Sequence, residues 1–404
     1  MELRSIALWL VCVAFGFASC TRVETVSPAA SVSLGGGGAP SSAGSGFESQ
    51  AGDGAGGDGG AYLGPGGKPG VLELGVWPTF ASDPNQSRDV QAVVASVSAL
   101  SLGAGTLPFA ERWDQLSGAT GSPRTSTWSR LDAMSAPFRE RNAGLALCID
   151  VVDRTQQAWP FAGELDSAAA AAAIERTVDE AYARFGPSLS HLCFGYQVDR
   201  YLSVASSGAQ SRLLAFLAHA VDYARHHPLR TSRTSIGVAL SLGALREGNA
   251  AQLSDLILGD EVVAVYDPLD ASGALKPAES VSDEVAGALD TIAGRPGPRR
   301  PLTLFEVGYP SSKQAGSSEA MQQRYYAALF GLLDARPAEL GFVGVYGLAD
   351  RAAADCAAEA PAWVGSSDAD LLQAWATARC SMGLRADSEK LAWTDVTRAL
   401  SRYR

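Results

Sequence analysis

An α/β fold of alternating strands and helices is what this sequence of 404 residues predicts, and three observations support it. Short β-branched apolar runs recur eight times after position 70, as is typical of strands. Longer segments with helical periodicity separate these runs. The first crossover also lacks the G-x-G-x-x-G pattern of a dinucleotide-binding open sheet. Eight such units in about 330 residues therefore favour a (β/α)8 barrel, the TIM barrel, as a single domain.

The predicted strands are the apolar runs themselves. They are Leu72–Trp77, Ser101–Leu107, Gly144–Asp150, Leu192–Gln197, Ser235–Leu240, Glu261–Tyr266, Leu302–Val307 and Gly341–Tyr346. Clear helices between them are predicted at Ala168–Phe185, Gln210–His226 and Ser318–Leu333. In the last of these, Met321, Tyr325 and Leu329 share one face, which is the apolar stripe of an amphipathic helix.

Polar and aromatic residues at the C-terminal strand ends are the candidates for chemistry, because that end of such a barrel carries the active site. These candidates are Trp77, Thr79, Glu111, Trp113, Asp114, Asp150, Asp153, Gln197, Asp199, Tyr266, Asp267, Glu306, Tyr309, Tyr346 and Asp350. Aromatic rings at this face are suited to stacking on sugars, and loop packing is the alternative for any single ring. Trp363, Trp375 and Trp393 are instead expected to pack within the C-terminal segment.

The first twenty residues have the features of a bacterial export signal. One arginine precedes an apolar run from Ile6 to Phe17, which is too short for a transmembrane helix. The sequence FASC at 17–20 resembles a lipobox, in which the signal is cut before a cysteine that then carries lipid. We therefore expect residues 1–19 to be a signal peptide and Cys20 to be lipidated, with an ordinary signal peptide as the alternative. Thr21, rather than Asp, favours the outer membrane.

Residues 20–70 are predicted to be a flexible linker. Positions 31–70 hold 16 of the 43 glycines, together with Ser, Ala and Pro, and cannot bury enough apolar surface to fold. The linker would hold the folded domain, residues 71–404, away from a membrane. Its Gly-rich runs are not phosphate loops, because none lies between a strand and a helix.

The acidic composition limits the possible partners. A net charge of −11 and a pI near 4.9 argue against nucleic acid or an anionic lipid surface as the main partner. Only four histidines are present, which argues against a His-rich metal site. The sequence has no P-loop and no nucleophile elbow, and we expect no cofactor. We also expect a monomeric protein.

The seventh predicted strand carries LFEVGYPS at 304–311, which resembles the nucleophile strand of clan A glycoside hydrolases. These enzymes are retaining β-glycosidases on a TIM barrel, and a Glu ends this strand in them. The fourth strand, FGYQVDRYL at 194–202, resembles the clan's GNEVDxYL form of the acid/base strand. The tail GLRADSEKLAW at 383–393 resembles their closing segment. The resemblance covers residues 71–404 and implies that Glu306 stands at the nucleophile position and Gln197 at the acid/base position.

The fourth strand departs from the family pattern at the residue that supplies the proton. Gln197 stands where the family has the acid/base Glu, and Tyr196 stands where it has the Asn that holds the sugar 2-hydroxyl. Glutamine can only hydrogen-bond, and loss of general acid–base catalysis typically costs ~10²–10⁴-fold in rate. Tyr346 stands where the family usually keeps a Trp as a sugar platform, and tyrosine can still stack.

Another carboxyl group could replace the missing acid. Asp199 lies two residues after Gln197, but the family also carries Asp there, so a structural role is expected. Asp150, at the end of the neighbouring strand, is the alternative acid. Glu306 without an acid could still attack a substrate with a good leaving group. The alternative is that Glu306 has a structural role, as a carboxylate held by Arg or Tyr at the barrel mouth.

The remaining cysteines agree with export. Cys356 and Cys380 bracket the segment after the eighth strand and are the candidates for a disulfide. Cys148 and Cys193 lie on adjacent predicted strands and are expected to be buried thiols, with a bridge as the alternative. Neither pair has the spacing of zinc ligands.

Together these features predict a lipoprotein of the bacterial cell envelope, attached to the membrane only through Cys20. Its barrel is expected to bind a polysaccharide or oligosaccharide, with hydrolysis lost or reduced because Gln197 replaces the acid/base Glu. The expected glycan contacts are Trp77, Trp113, Asp150, Tyr196, Asp199, Tyr266, Tyr309 and Tyr346. One alternative is an active retaining β-glycosidase with Glu306 as nucleophile and an unrecognised acid. The other is an envelope scaffold that binds protein rather than sugar.

Overall fold

A computed structural model describes residues 72–80, 85–247 and 254–403, so the expected signal peptide, Cys20 and linker lie outside the described residues. Within the described part, eight parallel strands close into a barrel with helices on its outside, which confirms the predicted (β/α)8 fold. The barrel strands are β1 (Glu73–Val76), β2 (Thr106–Arg112), β3 (Gly144–Asp153), β5 (Leu189–Tyr196), β6 (Ser235–Ser241), β7 (Val262–Val265), β8 (Leu302–Val307) and β9 (Leu340–Val345). β9 pairs with β1 and closes the ring, while the short β4 (Gln156–Gln157) pairs antiparallel with β3.

Helices follow the strands along the chain. They are α1 (Arg88–Leu102), α2 (Trp113–Leu116), α3 (Thr125–Glu140), α4 (Ala168–Phe185), α5 (Val198–Val204), α6 (Ser207–His226), α7 (Leu242–Glu247), α8 (Ser280–Ala293), α9 (Glu319–Ala335), α10 (Ala353–Val364), α11 (Ala369–Cys380) and α12 (Ala392–Arg402). Across the described ranges, we find no helix with the length and apolarity needed to span a bilayer.

Serine caps fix where two of the long helices begin. The Ser167 hydroxyl accepts a hydrogen bond from the Ala170 N–H, so α4 begins at the predicted residue. Ser206 does the same for the Ala209 N–H, and α6 therefore begins at Ser207, ahead of the predicted start.

The second strand lies further along the chain than its pattern predicts. β2 spans Thr106–Arg112 rather than Ser101–Leu107, because Ser101 belongs to the last turn of α1. Its hydroxyl donates to the Val97 carbonyl of that helix (2.8 Å). Gly103 then ends the helix in the left-handed conformation, with φ 106°.

A disulfide between Cys148 and Cys193 links β3 to β5, where the sequence favoured buried thiols. The two cysteines are direct partners in the parallel register, with Cα atoms 4.5 Å apart. The sequence places them on neighbouring strands but does not give the register, and register decides whether two sulfur atoms can meet.

A pair of helices that follows the barrel, residues 353–380, is here called the helical hairpin. Its helices α10 and α11 pack together, and a disulfide joins Cys356 near its start to Cys380 at its end. The chain then returns to the barrel through the 383–393 segment. Lys390 anchors that segment, because its buried ammonium group donates to Asp350 (2.6 Å) and to the Gly383 carbonyl (2.7 Å).

Candidate functional site

A cavity of about 290 Å³ opens at the C-terminal end of the barrel. It brings Glu306 together with four of the expected glycan contacts, which are Trp77, Asp150, Tyr196 and Tyr346. Because these residues lie at or just after the ends of different strands, only closure of the barrel places them around one space.

The Glu306 carboxylate is at the end of β8 and is only 1% exposed. One of its oxygens, Oε2, accepts a hydrogen bond from the Tyr196 hydroxyl (2.6 Å). The other, Oε1, forms an ion pair with the guanidinium group of Arg379. Both oxygens are therefore engaged by other side chains of the chain.

Tyr196 is buried at the end of β5, and its phenol remains a proton donor. Burial raises the pKa of Tyr196 well above its ordinary value, and the negative charge of Glu306 raises it further. The Arg154 guanidinium lies 4.7 Å from the centre of the Tyr196 ring, which keeps that ring in place.

Gln197 is fully buried, but it is not among the residues that line the cavity. Its backbone has φ 53°, an uncommon value for a residue with a side chain. The side-chain Nε2 donates to Asp267 (2.5 Å), and Arg200 donates to the same carboxylate oxygen (2.5 Å). At this strand end, the side chain that contacts Glu306 is therefore Tyr196 rather than Gln197.

Asp150 lines the cavity from the end of β3 and is 6% exposed. Burial raises the pKa of Asp150 well above its ordinary range, and the neighbouring Asp153 carboxylate adds to this. Among the described residues, its Oδ1 atom has no hydrogen-bond partner. Asp150 is thus a carboxyl group that the protein favours in its protonated form.

The cavity also contains side chains that the sequence did not suggest, and they come from loops and from the helical hairpin. Trp363 packs within the C-terminal segment, as expected, against Cys356, Ala360 and Ala376. It also lines the cavity, as do Arg154, Arg351 and Arg379. Arg379 is 73 positions from its partner Glu306, so no local pattern could indicate the contact. The one sequence feature that pointed to this segment was the predicted disulfide pair Cys356 and Cys380, because Trp363 and Arg379 lie between these two cysteines.

Three aromatic residues expected at the glycan site pack elsewhere. Trp113 is fully buried, and its Nε1 donates to Thr177 (2.9 Å). Tyr266 and Tyr309 are also fully buried, with ring centres 5.3 and 5.1 Å from that of Tyr325. A position near a strand end does not say which way a ring turns, and these rings turn towards the helices.

Asp199 does not line the cavity around Glu306. It accepts hydrogen bonds from the backbone N–H (2.7 Å) and hydroxyl (2.5 Å) of Ser241, so it links α5 to the end of β6. Together with Arg200 and Asp267 it borders a separate cavity of about 640 Å³. Across residues 72–80, 85–247 and 254–403, no group of three or more His, Cys, Asp or Glu side chains is placed to hold a metal ion.

This closed parallel barrel, with a glutamate at the end of its seventh strand and aromatic rings around it, has the fold of the clan A glycoside hydrolases. Among solved structures, a GH5_18 protein from Bifidobacterium longum subsp. longum superposes with a TM-score of 0.60 at 16% identity, over 83% of this chain and 80% of that chain. A GH5_18 protein from Streptomyces cattleya gives a TM-score of 0.56 at 15% identity, over 83% of this chain and 80% of that one.

A third structure is the exo-β-1,4-mannosidase Op5Man5 from Opitutaceae bacterium strain TAV5. It gives a TM-score of 0.57 at 16% identity, over 86% of this chain and 62% of that chain. Neither a protein-family model nor a curated protein matches the sequence. At these identities the likeness establishes the fold.

Proposed function

We propose that this protein binds a saccharide in the cavity around Glu306 and that its hydrolytic activity is lost or much reduced. One observation carries the proposal. The cavity joins Glu306 to the rings of Trp77, Tyr346 and Trp363, while the amide of Gln197 is held by Asp267.

The lining of the cavity is suited to a saccharide. Aromatic rings provide faces for sugar C–H groups, and the carboxyl and guanidinium groups provide hydrogen bonds for hydroxyls. Two of the similar structures were solved with saccharides, the B. longum protein with Manβ1-4GlcNAc and the S. cattleya protein with GlcNAc. Manβ1-4GlcNAc and GlcNAc are therefore the first ligands to test.

The proposed loss of hydrolysis follows from the proton chemistry. Retaining hydrolysis uses two carboxyl groups about 5–5.5 Å apart, one as nucleophile and one as acid/base. Gln197 can neither give nor take a proton at neutral pH. The nucleophile position is also hindered, because Arg379 and Tyr196 occupy both oxygens of Glu306.

Turnover of unactivated β-linked oligosaccharides tests the proposal, with Glu306→Gln as the matched control. We expect the wild-type protein to release no more product than Glu306→Gln. Gln197→Glu is not expected to restore turnover by itself, because the new carboxylate would face Asp267. Turnover well above that of Glu306→Gln would contradict the proposed loss.

A second candidate function is an active retaining β-glycosidase with Asp150 as the acid. The specific observation in its favour is a carboxyl group of raised pKa in the same cavity as the ion-paired carboxylate of Glu306. A carboxyl group whose pKa is raised by its surroundings is the usual general acid of such an enzyme. In this case Asp150→Asn and Glu306→Gln would each abolish turnover of unactivated substrates.

We further propose that Cys20 carries lipid and attaches the protein to the bacterial envelope at the outer membrane. The lipobox-like FASC sequence and the Gly-rich segment after it support this. Cys20→Ala is expected to move the protein from the membrane fraction to the soluble fraction, and unchanged fractionation would contradict the anchor.

A further inference from the structure

The guanidinium group of Arg379 lies inside the cavity proposed for the saccharide. Its Cζ atom is 3.9 Å from the ring centre of Tyr346 and 5.3 Å from that of Trp363. One of its amino groups pairs with Glu306. Since Arg379 is only 9% exposed, this group is part of the built site and not a surface charge.

This position excludes a sugar from the same face of Tyr346. Carbon atoms in van der Waals contact are about 3.5–4.0 Å apart, so a guanidinium group whose central carbon lies 3.9 Å from the ring centre fills the layer that a stacked sugar would take. The Trp77 ring is also close to Tyr346, with ring centres 6.1 Å apart and tilted by 52°. The carboxylate oxygen of Glu306 that meets Arg379 is likewise unavailable to a ligand.

We infer that Arg379 is an internal occupant of the saccharide site, and that a glycan binds only when this guanidinium group leaves the face of Tyr346. The inference rests on the proposed function. It makes Arg379 a residue that sets the affinity and selectivity of the cavity without being a catalytic residue.

The helical hairpin holds this occupant in place. Arg379 directly precedes Cys380, which is joined to Cys356, and the Cys380 carbonyl accepts a hydrogen bond from the Arg351 N–H (3.1 Å). The hydrogen-bonding groups of the Arg379 guanidinium are not all paired, however. Among the described residues, the buried Nε of Arg379 has no hydrogen-bond partner, so displacement gives up less than a complete hydrogen-bond set.

The expected gain in saccharide affinity follows from the fraction of molecules in which Arg379 is displaced. If the ligand binds only molecules in which Arg379 is displaced, the apparent affinity falls by the fraction of such molecules. Minor conformations of this kind are commonly populated at about 0.1–10%, so removing the side chain should raise affinity at least about tenfold.

The test is a calorimetric titration of the full-length protein with Manβ1-4GlcNAc and a panel of β-linked manno- and gluco-oligosaccharides. Arg379→Ala and the neutral, shorter Arg379→Gln are compared with the wild type. Arg385→Ala is the matched control, because Arg385 also lies over an aromatic ring, that of Trp393, but does not line the cavity. We expect both Arg379 variants to bind at least about tenfold more tightly than the wild type, while Arg385→Ala binds as the wild type does.

A second experiment uses the guanidinium ion as a probe to test directly whether a guanidinium group and the saccharide compete for the same place. Millimolar guanidinium chloride should weaken saccharide binding to Arg379→Ala by refilling the vacated place, relative to the same concentration of sodium chloride. It should leave the wild type unchanged.

Saccharide binding by the wild type that is not strengthened in either Arg379 variant would overturn the inference and leave the proposed function standing. No binding by any variant, including both Arg379 variants, would instead overturn the proposed function and this inference with it. The Arg379→Gln variant keeps the comparison decisive if Arg379→Ala does not fold.

Discussion

Asp150 lies in surroundings that disfavour its charged form. It is buried at the end of β3, and the Asp153 carboxylate adds to the effect of burial in raising the pKa of Asp150. The folded protein therefore keeps a proton on Asp150 at pH values where the unfolded chain has lost it. Such a residue costs stability, which is expected where a side chain is kept for binding or chemistry.

The raised pKa of Asp150 makes the free energy of unfolding depend on pH. For an acid whose pKa is raised by folding, the free energy of unfolding falls as pH rises above the ordinary Asp value of about 3.9, by about 1.4 kcal/mol per unit, until the folded pKa is reached. Asp150→Asn removes this loss. We expect the stability of the variant relative to the wild type to increase as pH rises from about 4 towards neutral, as measured by urea unfolding at each pH.

Asp166→Asn is the matched control, because Asp166 is exposed and should show no such trend. A difference between Asp150→Asn and the wild type that stays constant across this pH range would show that Asp150 is not held protonated by the fold.

At the scale of the secondary-structure elements, the helical hairpin adds side chains to a cavity that the strand ends of the barrel also line. It contributes Trp363 and Arg379 to the cavity, and the Cys356–Cys380 disulfide joins its two ends. A cross-link over a sequence separation of 24 is worth about 3.5 kcal/mol in the loop-entropy model.

Removing this cross-link should loosen the hairpin and leave the barrel intact. We expect Cys356→Ala/Cys380→Ala to speed amide hydrogen exchange in α10 and α11 without changing exchange in the barrel strands, because local openings follow local stability. Cys148→Ala/Cys193→Ala is the control, since that pair lies between β3 and β5. Unchanged exchange in α10 and α11 would mean that helix packing alone holds the hairpin.

The elements were predictable from the sequence where periodicity and capping act locally. The serine-capped α4 and the apolar run of β8 have their predicted bounds. The prediction was wrong for β2, because α1 continues through Ser101 and Leu102 and ends at Gly103, which takes the left-handed conformation. Residues at such a boundary have weak preferences for helix or strand, so a local pattern locates the boundary poorly.

The site was predictable only in part. The position of Glu306 at a strand end followed from its motif, and the structure places it in the cavity. The sequence did not show whether Tyr196 or Gln197 contacts Glu306, because adjacent side chains of a strand point to opposite faces. The left-handed backbone of Gln197 also changes the direction of its side chain. That an Arg or Tyr could hold Glu306 was one of the alternatives, but no motif singled out Arg379, because its contact depends on how the hairpin packs against the barrel.

At the scale of the whole molecule, the barrel has the fold of clan A glycoside hydrolases, and Tyr196 and Arg379 engage Glu306 inside its cavity. Strand ends bring Trp77, Tyr346 and Glu306 together, and the C-terminal hairpin adds Arg379 to the same space. The Lys390–Asp350 contact secures the segment that follows the hairpin. The fold therefore places a buried carboxylate, aromatic rings and guanidinium groups around one cavity, as the proposed saccharide binding requires.

The most direct test of this account is saccharide binding by the full-length protein, measured by calorimetry against β-linked oligosaccharides that include Manβ1-4GlcNAc. Trp363→Ala and Tyr346→Ala remove rings from the cavity, and Trp393→Ala is the control because that ring packs against Arg385 and does not line it. The account predicts millimolar or tighter binding that both cavity variants weaken at least about tenfold and the control retains. Absence of binding across the panel, or binding that is unchanged in Trp363→Ala and Tyr346→Ala, would contradict it.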